Sequence, residues 1–282
     1  MDATPATDNE QNALWNGLAG RAWVDAQHLL DAMYKPFEDL LVDAIPAGFA
    51  GRVLDVGCGT GSTTLALARR LAPGGRCLGI DISEPMIAAA RMRAQQEGTP
   101  ASFIRADAQT HAFETAGFER IVSRFGVMFF DDPVRAFANL RRAAASDAEL
   151  LCIAWRSAAE NPFMTTAERA AAALLPTLPA RRQDAPGQFA LADRQRIGRI
   201  LEQSGWSAVE IHPLDVACTL PEKDLVLYLT RLGPVGRALH EADERTRTRV
   251  IETVRAAFQP FVHGAEVHFN AACWRVEARA NG

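Results

Sequence analysis

Val53-Leu54-Asp55-Val56-Gly57-Cys58-Gly59-Thr60-Gly61 is the stretch of this 282-residue chain that decides its fold. A short apolar run bounded by glycine reads as a buried strand. Three glycines at alternate positions let the backbone turn tightly and approach a ligand without Cβ clashes. Residues 62–68, Ser-Thr-Thr-Leu-Ala-Leu-Ala, then read as the first turns of a helix. The unpaired N–H groups of such a helix start face whatever sits over the turn.

The spacing narrows the ligand. A dinucleotide fingerprint places glycine at the first, third and sixth positions. Here the sixth position is Ser62, and the pattern is G-x-G-x-G with Asp55 two residues ahead. A second apolar strand over residues 76–81 ends in Asp81. A carboxylate at that place in a doubly wound sheet accepts from both hydroxyls of a ribose. Ser83 then caps a helix whose first turn holds Pro85, and Met86 follows. A third strand over 101–105 ends in Ala106-Asp107-Ala108-Gln109. A fourth, over 120–124, runs on through Phe125 to Asp132-Pro133, a helix start of N-cap followed by proline.

Four segments in this order resemble the class I S-adenosylmethionine-dependent methyltransferases, with the G-x-G-x-G turn as their first motif. The chain is most similar to the small-molecule members, of the ubiquinone and menaquinone biosynthesis type, and the likeness is good over about residues 10–160. The resemblance implies S-adenosylmethionine as cofactor, S-adenosylhomocysteine as product and methyl transfer by in-line displacement. It implies a cofactor site of Asp55, Gly57, Cys58, Gly59 and Gly61 at the turn, Asp81 and Ile82 at the ribose, and Met86 on the adenine face. Asp107 would accept from the adenine amino group beside Ala108 and Gln109, and Ser123, Arg124 and Phe125 would form the floor. Trp15 and Trp23 join the set as aromatic faces that attract a sulfonium. Met86 reads equally as core, the two tryptophans as anchors of their segment, and Cys58 as a residue whose backbone matters more than its sulfur.

Composition fits a medium-sized α/β enzyme: 48% apolar content supports a full core, and the net charge is −4. With no dense basic tract, a nucleic-acid partner is not expected. The five cysteines are widely spaced with no C-x-x-C, which suits reduced thiols in a cytoplasmic protein and no metal site. The polar N-terminus lacks a signal-peptide pattern, and no apolar stretch reaches the length of a membrane span.

The expected fold is a Rossmann-like, seven-stranded, mostly parallel sheet with helices on both faces and its last strand antiparallel. Helical N-terminal and lid additions surround it. Residues 1–10 read as a disordered tail, 11–46 as a helical segment covering the cofactor and 47–157 as the cofactor-binding core. Residues 158–190 read as a helical lid insertion, with Thr165 and Glu168 as a capping box. Residues 191–282 complete the core, with a further helical insertion at about 222–260. Such additions follow the carboxyl ends of the strands, where ligands bind. An apolar lid there points to a small apolar or aromatic acceptor with an O, N or C nucleophile. A general base is needed only if that atom must lose a proton. His28, Tyr34, His111, His240 and His263 are eligible, and the sequence does not choose among them. Two alternatives remain, a non-catalytic S-adenosylmethionine-binding protein and a nicotinamide-dependent oxidoreductase. Ser62 and the Asp107 strand end speak against the second. The sequence leaves the oligomeric state open.

Overall fold

The computed structural model describes residues 6–176, 178–179, 181 and 185–281. Four short helices come first: α1 (Ala6–Asn16), α2 (Leu18–Asp25), α3 (Gln27–Met33) and α4 (Lys35–Asp43). Strands and helices then alternate as β1 (Arg52–Val56), α5 (Ser62–Arg70), β2 (Arg76–Asp81), α6 (Glu84–Glu97) and β3 (Ala101–Arg105). β4 (Phe118–Arg124), α7 (Pro133–Ala143) and β5 (Ala144–Trp155) continue the pattern. After β5 come α8 (Pro162–Ala171), α9 (Arg194–Gln203) and β6 (Ser207–Pro221). α10 (Leu225–Arg231), α11 (Gly233–Glu241) and α12 (Glu244–Ala257) precede the short β7 (Val262–His263) and the closing β8 (Glu266–Arg279).

The sheet has the order β3-β2-β1-β4-β5-β8-β6, with β7 paired on β8. Strands β3 to β5 run parallel, and β8 is antiparallel to both neighbours. This is the Rossmann-like arrangement expected, with the last strand antiparallel and the two-residue β7 as an eighth member. Parallel strands are covered on both faces and must be apolar throughout, which is why Val53, Leu54 and Val56 of β1 are fully buried. On α7, Ala136, Phe137, Leu140 and Ala143 are buried at helical spacing, and Asp132 accepts from the Arg135 N–H as the N-cap.

Several local expectations change. α1 begins at Ala6, so residues 6–10 of the polar tail are helical, while residues 1–5 lie outside the described residues. The capping box at Thr165 and Glu168 is absent because α8 starts one turn earlier, at Pro162, and the Thr165 hydroxyl instead donates to the Pro162 carbonyl. Ser83 precedes α6 with extended backbone, yet its Oγ donates to the Trp15 carbonyl at 2.7 Å rather than capping its own helix. Asn16 supplies the cap from across the chain. Its Oδ1 accepts from the Glu84 N–H at 2.9 Å, and its Nδ2 donates to the Ile82 carbonyl at 3.1 Å. These bonds fasten the end of α1 to the β2–α6 turn. β6 is long because it pairs with β8 from Ser207 to Pro221.

β2 lies on one side of β1 and β4 on the other, so the chain reverses its winding between β1 and β4. Crevices open at such switch points. Gly57 leaves β1 and Gly126 follows β4, and a Cβ on Gly57 would sit 2.5 Å from the Gly126 Cα. The two exits touch backbone to backbone, and only glycine permits that approach.

Candidate active site

Gly57, Gly59 and Gly61 all have positive φ, at 69°, 55° and 87°, a region that costs other residues energy. Their surroundings separate them. Gly57 and Gly61 are walled in, the latter by the Phe103 ring and the Ala90 Cβ at 2.9 Å. A Cβ on Gly59 would meet only the Met86 sulfur, at 3.8 Å. Gly59 is therefore the open face of the turn, and Met86 stands opposite it.

Asp81 fixes this turn. One carboxylate oxygen accepts from the Gly59 N–H and the other from the Ser83 N–H, both at 2.9 Å. Each oxygen keeps a second lone pair for a ligand. Burial holds the Asp81 carboxyl above its usual range, and the backbone N–H bonds work against that shift. At the next strand end the Asp107 Oδ1 accepts from the Gln109 N–H at 2.8 Å. The Gln109 Oε1 accepts from the Asp132 N–H, tying the β3 exit to the cap of α7. Asn139 holds the Ala108 carbonyl at 2.9 Å.

After β4 the chain takes an unusual step. Phe125 has φ 67°, which is rare for a bulky residue. Such a conformation costs of the order of 1–3 kcal/mol and persists only where packing over-determines it. Here the Phe125 ring stacks on Trp155, centroids 4.7 Å apart at 14°, and meets Phe37 and Tyr34 edge-on. The Ser123 hydroxyl donates to the Val56 carbonyl and accepts from the Gly126 N–H. Together these hold Gly126 against Gly57.

One cavity of about 400 Å³ runs past these groups. Of the expected site residues, Trp15, Trp23, Gly57, Gly59, Asp81, Ile82, Met86, Asp107, Ala108, Gln109, Arg124 and Phe125 line it. Asp55, Cys58, Gly61 and Ser123 do not, and stand behind the wall for identifiable reasons. The buried Asp55 carboxylate accepts from the Thr64 hydroxyl at 2.6 Å, bracing α5 against β1, and burial raises its pKa to about 6. Cys58 is buried and burial pushes its thiol well up, which disfavours the thiolate that a nucleophile needs. Gly61 packs on Phe103, and Ser123 is spent on backbone. Trp15 lies edge-on to both Trp23 and Phe129, and this aromatic trio closes one side.

The remaining wall escaped the sequence reading. It is formed by Trp155 at the end of β5, by Phe163, Met164 and Glu168 of α8, and by residues of α10 and α11. Of the eligible bases only Tyr34 reaches the cavity; His28, His111, His240 and His263 do not line it. Burial raises the Tyr34 phenol well above its usual value, so it stays protonated and is poorly suited to act as a base. The signal for these residues was weak. It was the position of the insertions after the carboxyl ends of the strands, with no motif inside them.

Residues 53–147 match the family described as a methyltransferase domain. The strand order and the cavity at the switch point agree with that match to a methyltransferase domain. Similar proteins include demethylmenaquinone methyltransferase of Thermus thermophilus, 34% identical over 41% of this chain and 50% of that one. Nocamycin O-methyltransferase of Saccharothrix syringae is 30% identical over 42% of each chain. The chain thus spans about half the length of these curated relatives. Among solved structures, the YcgJ protein of Bacillus subtilis shares the fold with a TM-score of 0.59, 16% identity and coverage of 88% of this chain and 99% of that one. No helix of the described residues is long and apolar enough to cross a membrane.

Proposed function

We propose that the protein transfers the methyl group of S-adenosylmethionine to an O, N or C nucleophile of a small, largely apolar or aromatic acceptor. The observation that carries this reading is one continuous cavity. It joins the glycine turn, Asp81 and Asp107 at the strand ends to an apolar chamber under the helical additions.

The residues fit the cofactor on two counts. Gly59 leaves open space where any side chain would intrude on a ligand. The Arg124 Nη1 is buried and makes no hydrogen bond among the described residues. A buried donor left unpaired is costly, and a ligand carboxylate would satisfy it. Gly57 and Gly59 would therefore hold the methionyl part, with Arg124 facing its carboxylate. Asp81 would accept from the ribose hydroxyls, Asp107 would take the adenine amino group, and Met86 would lie on the ring. When bound, the cofactor supplies an activated methyl group on a sulfonium.

The protein's own contribution is alignment and exclusion of water. Asp81 pins the turn before any ligand arrives, and the Phe125–Trp155 stack fixes the floor. Trp15, Trp23 and Phe129 shield the site from solvent and offer aromatic faces to a cation. Residues 11–46 act as the cover over the cofactor, and the insertions at 158–190 and 222–260 as the lid over the acceptor. We place the protein in the cytoplasm on its cysteine usage. The test is incubation with methyl-labelled cofactor and a panel of apolar phenols, quinones and amines. Label recovered in an acceptor supports the reading. Cofactor binding without transfer to any of them would favour the non-catalytic alternative.

A further inference from the structure

The acceptor half of the cavity is not uniformly apolar. Glu168, Arg181, Arg231 and Arg237 share its wall with Tyr228 and Phe258. Their charges do not cancel. Arg181 is taken by Glu168: its Nε donates to one Glu168 oxygen at 2.8 Å and its Nη2 to the other. The same guanidinium lies 4.7 Å over the Phe189 ring. That pair is neutral and fixed.

Arg231 and Arg237 have no such partner. Neither makes an ion pair within 4 Å nor a hydrogen bond among the described residues. Arg231 ends α10 at the exposed rim. Arg237 lies on α11, two residues past the buried Val235, and is partly buried itself. Burial pulls its guanidinium below the usual value, and Glu168, already committed to Arg181, attracts it without a contact. A partly desolvated cation with no counter-charge in contact with it is unfavourable until an anion binds it. A guanidinium suits a carboxylate or a phosphate best, because its planar donors match their oxygens in pairs.

We propose that the acceptor of this protein is an amphipathic anion, an apolar or aromatic body bearing a carboxylate or phosphate group that Arg237 binds, with Arg231 at the entrance. The proposal deepens the methyl-transfer reading and rests on it for the word acceptor. The apolar body lies against Phe163, Leu229, Val235 and Phe258, and the anionic group turns toward α11. The neutral Glu168–Arg181 pair narrows that end without competing for the anion. The anionic group anchors the molecule, so the methylated atom sits on the body, nearer to Gly57 and Gly59.

The test is calorimetry on protein saturated with S-adenosylhomocysteine, using naphthoate, naphthyl phosphate, methyl naphthoate and naphthylmethylamine as probes. Naphthoate or naphthyl phosphate should bind at least about tenfold more tightly than the neutral ester, the amine should be weakest, and whichever anion leads identifies the group. Arg237→Gln should reduce the preference to about twofold or less, Arg237→Lys should keep part of it, and both should bind S-adenosylhomocysteine like the parent. Equal affinity for acid and ester, no binding of any probe, or a preference that survives Arg237→Gln would overturn the proposal. Failure of S-adenosylhomocysteine to bind, with the anion preference intact, would instead sink the methyl-transfer reading and leave an anion site.

Discussion

At the sheet end of the cavity the wall is mostly backbone, held in place by short-range bonds. Gly57 and Gly59 carry no side chains, Gly126 lies against Gly57, and Asp81 spends two acceptors on the turn itself. At the helical end the wall is made of side chains brought in by α3, α8, α10 and α11 from distant parts of the chain. The first end presents a fixed shape to one ligand. The second presents a surface that can change residue by residue without disturbing the sheet. A protein built this way keeps its cofactor and varies its acceptor, which agrees with a family match confined to residues 53–147.

The contrast can be broken first at Gly57. Gly57→Ala places a Cβ 2.5 Å from the Gly126 Cα at a φ of 69°, with no flexible neighbour to yield. A loss of about 3 kcal/mol or more in folding stability is expected, read by urea unfolding. A small loss would mean that the glycine contact is not what sets the switch point.

Asp55 tests the scaffold behind the wall through pH. Its pKa in the folded protein is about 6 against an ordinary 3.8, raised mainly by burial. A raised carboxyl pKa means that the folded state holds the proton longer than the unfolded chain, so stability falls as pH rises through this window. Asp55→Asn, which can still accept from Thr64, should gain on the parent between pH 4 and 6, by up to about 3 kcal/mol. Parallel stability curves would contradict the assignment.

Asp81→Ala should weaken S-adenosylhomocysteine binding by ~1–3 kcal/mol, the scale for a lost charge-assisted hydrogen bond, and should also lower Tm because Gly59 and Ser83 lose their acceptor. Unchanged affinity would remove its ribose role. Asn16→Ala should have the smallest effect, about 1 kcal/mol of stability. If it also loosens cofactor binding, α1 covers the site; if binding is untouched, α1 is only fastened beside it.

The same contrast explains what could be read in the chain itself. The strand order and the turn at Gly57, Gly59 and Gly61 are encoded locally, by apolar runs that end in glycine or a carboxylate. Asp81, Asp107 and Met86 follow from their places just after strands, and all line the cavity. Asp55 and Ser123 lie within β1 and β4 and do not reach the cavity, because strand residues alternate sides and the sequence does not say which side is wall. The acceptor half was not legible. Glu168 looked like a helix cap and proved to be the partner of Arg181, thirteen residues on. Arg237 lies in no motif. Pairing of a helix residue with a charge in the loop beyond it is a tertiary fact with no sequence period.

The most direct test of the central claim is a calorimetric titration of the purified protein with S-adenosylhomocysteine, with NADH as control. The account predicts micromolar binding of S-adenosylhomocysteine and none of NADH. Binding of NADH alone would make the glycine turn a dinucleotide site and contradict the methyltransferase reading.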